Sequence, residues 1–192
     1  MKKAIVLLAE GFEEIEALTV VDVLRRGGVQ CTTCSIGEEI EVTGSHSIQV
    51  KADDLLSKAD VNSYDAVVIP GGMPGAANLR DSNAVIELVK KFNDEHKLIA
   101  AICAGPIVLG RAEILKGKKA TCYPGYEDQL GADTTVEDIV VQDGNIITSR
   151  GPATAAYFAY EILENLVDKE TIEKLKDGML INFVEFKHKL AK

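Results

Sequence analysis

The sequence predicts an α/β sandwich, a mainly parallel central sheet covered by helices on both faces. Three observations predict it. Apolar runs such as "KAIVLLA" and "YDAVVIPGG" lack the polar alternation of a half-exposed strand, so they belong inside, covered on both sides. These runs alternate with amphipathic stretches of helical length, the pattern of parallel strands joined by crossover helices. No linker, low-complexity tract or internal repeat divides the chain, so residues 1–192 are expected to form one domain.

Element by element, "KAIVLLA" is the first strand and "EEIEALTVVDVLRRGG" the first helix. Two arginines close that helix and glycines follow it, as the helix dipole and C-cap favour. "VQCTTCSI" is β-branched and reads as strand two. "EIEVTGSHSIQVKA" reads as a hairpin or two edge strands about Gly44, and "YDAVVIPGG" as a buried strand ending in glycine. "NAVIELVKKFNDEH" places Val85, Leu88, Val89 and Phe92 on one helical face. "KLIAAI" is a strand, followed by the helix-like "IVLGRAEIL". "ADTTVEDIVVQDGNIITSR" supplies further strands, with a hairpin signal at Asp143-Gly144. "GPATAAYFAYEILENLV" and "KETIEKLKDGMLI" are the last helices.

Composition narrows the function classes. The chain is 46% hydrophobic and 27% charged, the balance of a soluble globular protein, with a formal charge of −9. That charge argues against nucleic acid or an anionic membrane as the main partner. No stretch approaches the ~18 apolar residues of a membrane span. The N-terminal apolar run meets Glu10, Gly11, Glu13 and Glu14 without a small-residue cleavage site, so it reads as a strand of a cytoplasmic protein. The cysteines Cys31, Cys34, Cys103 and Cys122 are then expected to be reduced. "CTTC" lies in a strand pattern, where positions three apart face opposite ways, which disfavours a disulfide or a shared metal. The three histidines are scattered, so no metal site is expected.

In open α/β sheets ligands bind beyond the C-terminal ends of the strands. Three segments end there in "AEGFEEIEA", "PGGMPGA" and "CAGP". Cys103 stands where a strand turns into a helix, near free backbone N–H groups and a partial positive charge. Both favour the thiolate and are expected to lower the thiol pKa. Its small neighbours Ala101, Ala104 and Gly105 permit a sharp turn resembling a nucleophile elbow; a buried, inert cysteine is the alternative. The glycines of "PGGMPGA" expose backbone N–H groups that, with that of Ala104, suit an oxyanion; a plain tight turn is the alternative. The segment lacks the glycine and lysine pattern of a phosphate loop. Glu13 and Glu14 are explained by the helix dipole. Glu16 lies among apolar residues, where burial and a nearby thiolate raise a carboxyl pKa, so it can hold or move a proton.

With these residues placed, "KAIVLLAEGFEEIEALTVVDVLRRGG", "YDAVVIPGGMPGAANLRDS", "LIAAICAGPIVLGRAEILKGKKATCYPG" and "IITSRGPATAAYFAYEILE" together resemble the ThiJ/PfpI superfamily. The nearest branch is that of Parkinson disease protein 7 and the bacterial ThiJ-like proteins. The resemblance implies a flavodoxin-like three-layer sandwich and a homodimer; Val20, Val21, Val23 and Leu24 give the first helix more apolar surface than one sheet face requires, which fits a partner surface, with a fully covered core helix as the alternative. The resemblance puts the reactive cysteine on Cys103, its acid partner on Glu16 and the backbone donors near Gly72 and Ala104, with Gly71, Tyr123 and Pro152 lining the pocket. His46 matches a position that in relatives supplies a basic residue near a partner's cleft; an exposed hairpin residue is the alternative.

Two departures bear on mechanism. The protease-like branch has histidine directly after the cysteine, where this chain has Ala104. The deglycase branch often has histidine where this chain has Tyr123, and a phenol is a poor proton shuttle near neutral pH. The resemblance implies a cofactor-independent glyoxalase or deglycase acting on a small reactive carbonyl such as methylglyoxal. A redox-sensing or chaperone-like protein, with Cys103 oxidised to sulfenic or sulfinic acid, is the second reading, and an intracellular cysteine peptidase or amidase the third.

Overall fold

The computed structural model describes residues 1–190, with side chains through Lys187. In chain order the strands are β1 (Lys3–Leu8), β2 (Gln30–Ser35), β3 (Glu41–Thr43), β4 (Gln49–Lys51), β5 (Asp54–Leu55), β6 (Ala66–Ile69), β7 (Leu98–Ile102), β8 (Lys119–Ala120), β9 (Thr134–Thr135), β10 (Val140–Asp143) and β11 (Ile146–Ser149). The helices are α1 (Glu14–Arg26), α2 (Gly75–Asp81), α3 (Asn83–Asp94), α4 (Pro106–Arg111), α5 (Ala155–Glu164), α6 (Lys169–Gly178) and α7 (Ile181–Leu190).

The central sheet has the order β10-β11-β7-β6-β1-β2-β5. Every pairing in it is parallel except the β10–β11 hairpin at one edge. Alternation along β1 shows why the apolar runs are continuous. Ala4, Val6 and Leu8 join the core under α1 and α5, while Ile5 and Leu7 join the core under α2, α3 and α4. Val20, Leu24, Phe158 and Ile162 fill the first layer; Leu79, Val85, Val89, Phe92 and Ile107 fill the second. This is a flavodoxin-like sandwich. Cys31 and Cys34 divide between the two cores, on opposite faces of β2.

Strand order reverses at β1. The chain leaves β1 for β2 on one side, then returns through the β3–β4 hairpin and β5 to β6 on the other. A crevice forms where neighbouring connections diverge in this way, at the C-terminal ends of β1, β6 and β7.

Three readings change. Val20, Val21, Val23 and Leu24 suggested a surplus apolar face on α1, but the sheet and α5 bury all four; Ile15 and Leu18 are the exposed apolar residues of that helix. "PGGMPGA" continues into α2, where burial of Ala76 and Leu79 sustains a short helix behind a turn-like beginning. The last helical stretch breaks at Leu180, which adopts a left-handed φ of 61°, and resumes as α7.

Candidate active site

Cys103 follows the last residue of β7 and has φ +62°, an uncommon backbone for a residue with a side chain. Two bonds impose it. The Cys103 N–H donates to the Ser149 carbonyl at 2.9 Å, and its own carbonyl accepts from the Tyr123 N–H at 2.8 Å. The turn that results leaves Cys103 partly exposed, whereas Cys31, Cys34 and Cys122 are buried.

Glu16 reaches this turn from the first turn of α1. It is fully buried, and its Oε2 accepts the Gly71 N–H at 2.8 Å. Oε1 has no hydrogen-bond partner among the described residues, and the Cys103 thiol is close enough to act on the titration of this carboxyl. Burial pushes Glu16 up to about 7, with a smaller push from Glu13; the thiol and the Gly71 N–H pull the other way.

Cys103 departs from expectation. Burial, then the Glu16 charge, raise its thiol well above the ordinary range, against a smaller pull from the N–H groups of Ala104 and Gly72. The donors expected at a helix start are present, but the apolar surroundings and the carboxylate outweigh them. The two groups therefore titrate as a pair, with the Ala104 and Gly72 N–H groups near enough to favour the sulfur anion.

Two glycines make the approach possible. A Cβ on Gly71 would lie 2.7 Å from both Cys103 Cβ and Glu16 Oε2, so a side chain there would part the pair. Gly72 has φ +86° and is pressed against the backbone of residues 11–13. Tyr123 is half-exposed, its ring against Gly151; Pro152 follows at the head of the short 3-10 turn Pro152–Thr154.

The acids beside Glu16 have uses that the dipole argument did not supply. Glu13 caps α1, accepting the Glu16 N–H at 2.8 Å, while its own N–H donates to the Gly71 carbonyl at 3.0 Å. A side-chain oxygen at Glu13, just before the helical apolar spacing begins, is the sequence signal for this cap. Buried Glu14 accepts the His46 N–H at 2.8 Å and lies 2.9 Å from His46 Nδ1. Burial raises Glu14, but these bonds outweigh it and hold the carboxyl below its usual range; His46 is raised in return. His46 is exposed on the hairpin and tied to α1 of its own chain, and within that chain it is not brought to Cys103. Ligand atoms of Glu13, Glu14 and His46 fall within 4.8 Å of one another, a grouping that sequence spacing hid, but the His46–Glu14 pair accounts for it. His96 lies at the opposite end of the sheet, beside Lys2 and Asp65.

A buried carboxyl against a thiol, with backbone donors on the sulfur, equips this crevice for cysteine addition chemistry. Residues 2–165 match the profile of the DJ-1/PfpI family. Protein dj-1beta of Drosophila melanogaster is 39% identical over 184 residues, covering 95% of this chain and 98% of the relative. The DJ-1 homologs B and A of Arabidopsis thaliana are 41% and 38% identical over 88% and 94% of this chain, which spans only 39% and 47% of their lengths. The structure of Toxoplasma gondii DJ-1, oxidized, superposes with a TM-score of 0.89 at 41% identity, covering 94% of this chain and 98% of that one. The chain belongs to the DJ-1/PfpI family.

Proposed function

We propose that this protein is a cofactor-independent glyoxalase or deglycase acting on 2-oxoaldehydes such as methylglyoxal. The observation that carries the reading is the Glu16–Cys103 pair, a buried carboxyl raised to about 7 that meets the cysteine across Gly71. With one proton on the pair, two arrangements carry the same charge: thiol with carboxylate, and thiolate with carboxylic acid. The first is the resting form. The second is the nucleophile, aided by the N–H groups of Gly72 and Ala104.

In the reaction, sulfur forms a bond to the aldehyde carbon, the carbonyl π pair moves to oxygen, and oxygen takes the proton from Glu16. The Glu16 carboxylate then removes the proton on that carbon and returns one to the adjacent carbon, converting the hemithioacetal to a 2-hydroxy thioester. Water cleaves the thioester, releasing the hydroxy acid and restoring the thiol. Atoms balance as aldehyde plus water, with no external oxidant.

Cys103→Ala is expected to abolish consumption of methylglyoxal and Glu16→Gln to reduce it at least a hundredfold, in keeping with the usual worth of a general acid–base group. Full activity in Cys103→Ala would reject the reading.

A second reading, redox sensing, is favoured by Cys103 being the one partly exposed cysteine among the four. A solved relative is described as oxidized. Peroxide would transfer one oxygen to sulfur and leave as water, and Glu16 would hydrogen-bond the product. Selective mass gain at Cys103 without turnover of any 2-oxoaldehyde favours this reading. We also propose a homodimer, supported by the family resemblance and the exposed Ile15 and Leu18 on α1.

A further inference from the structure

The Glu16–Cys103 chemistry leaves one conspicuous neighbour unused. The Tyr123 side chain is 47% exposed, although its own N–H donates to the Cys103 carbonyl at 2.8 Å. Its ring also has a neighbour on the other side. A Cβ on Gly151 would meet ring atoms Cδ2 at 3.3 Å and Cε2 at 3.7 Å, so the ring edge rests directly on that residue. Gly151 follows Ser149 and Arg150, and the Ser149 carbonyl accepts the Cys103 N–H at 2.9 Å. Cys103 and the tyrosine ring are therefore anchored to the same two chain segments, one on each side of the nucleophile turn.

A half-exposed aromatic face at the edge of a reactive crevice leaves apolar area in contact with water. A flat apolar group laid on it removes that area and gains the attraction between aromatic rings. A small, strongly hydrated aldehyde gains neither. We propose that Tyr123 is a stacking platform that makes this site prefer 2-oxoaldehydes carrying a flat apolar substituent, with arylglyoxals as the type, over glyoxal itself. This rests on the thiol–carbonyl reading above. Bond making at sulfur is the same for both substrates, so their ratio isolates the ring.

The experiment compares kcat/KM for phenylglyoxal and glyoxal in the wild type, Tyr123→Phe, Tyr123→Ala and Gly151→Ala. Tyr123→Ala is expected to lower the phenylglyoxal-to-glyoxal ratio between roughly twofold and tenfold, the usual worth of an aromatic pair, whatever its effect on the two rates taken singly. Tyr123→Phe keeps the ratio, because the hydroxyl is not involved. Gly151→Ala crowds the ring without altering the Glu16–Cys103 pair, and lowers the ratio partway. An unchanged ratio in Tyr123→Ala overturns the proposal, as does an equal loss in Tyr123→Phe, which would assign the effect to the hydroxyl. A second measurement separates this from failure of the catalytic reading. The rates at which Cys103 is labelled by N-phenylmaleimide and N-methylmaleimide give the same ratio without turnover. If the protein consumes no 2-oxoaldehyde, the glyoxalase reading falls; a labelling ratio that drops in Tyr123→Ala still sustains the platform, and one that does not overturns it.

Discussion

A carboxyl raised to about 7 sets the pH at which the thiol becomes usable. Below that value Glu16 is neutral and the pair holds two protons, so no carboxylate is present to accept the thiol proton. Above it the pair holds one, and the reactive arrangement becomes accessible. Labelling of Cys103 by iodoacetamide is expected to rise through pH about 7, and Glu16→Gln to remove that inflection. A rate profile of wild type and variant between pH 5 and pH 9 checks it; an inflection unchanged in Glu16→Gln would assign the proton elsewhere. At this scale the sequence was legible in part. Cys103 was readable because a strand-to-helix joint crowded with small residues is uncommon, and Glu16 because it is a charge amid apolar neighbours. The upward shift of the thiol was not readable. It depends on Gly71 letting α1 approach within contact of the nucleophile turn, a distance that no local pattern encodes.

Helix α1 carries the acid, and its first turn is fixed by Glu13. Glutamate is not among the strongest N-cap residues, yet here its Oε2 takes the free Glu16 N–H while its backbone bonds Gly71. The same contacts that end the helix thus hold the catalytic carboxyl in register with the glycine loop. Glu13→Ala removes the cap and is expected to cost about 1 kcal/mol in urea unfolding. Glu13→Gln keeps an oxygen acceptor and so most of that stability. It also removes a negative charge that raises Glu16, so the Cys103 labelling inflection should move below about 7. A Gln variant as unstable as the Ala variant would show that charge, not capping, stabilises this end. Helix α3 was easy to read because its apolar residues recur at helical spacing and Ser82 caps it. Helix α2 was hidden because its start, with prolines and glycines, has turn composition; it persists through the burial of Ala76 and Leu79 against its neighbours.

For the whole molecule, continuous apolar strands were enough to predict two covered faces, because a parallel sheet exposed on one side would have alternated. They could not say which helix faces would remain open after packing. The valines of α1 looked like surplus and are core; the open residues are Ile15 and Leu18, one helical turn apart, with Ile48 nearby on the hairpin. The hairpin is joined to α1 through Glu14, whose Oε1 accepts the His46 N–H at 2.8 Å and the Ile48 N–H at 3.5 Å. Covering these residues with a second copy would bury apolar area beside the crevice and brace the helix that carries Glu16. Sedimentation is therefore expected to give a species of twice 20.7 kDa. Leu18→Arg, which places a charge on that face without entering the core, should shift it to 20.7 kDa while leaving the circular dichroism unchanged. Since Leu18 touches none of the reacting groups, a fall in Cys103 labelling with dissociation would link assembly to the poise of the site. A wild type that sediments only as the single chain would remove the dimer and leave the crevice to stand on its own contacts.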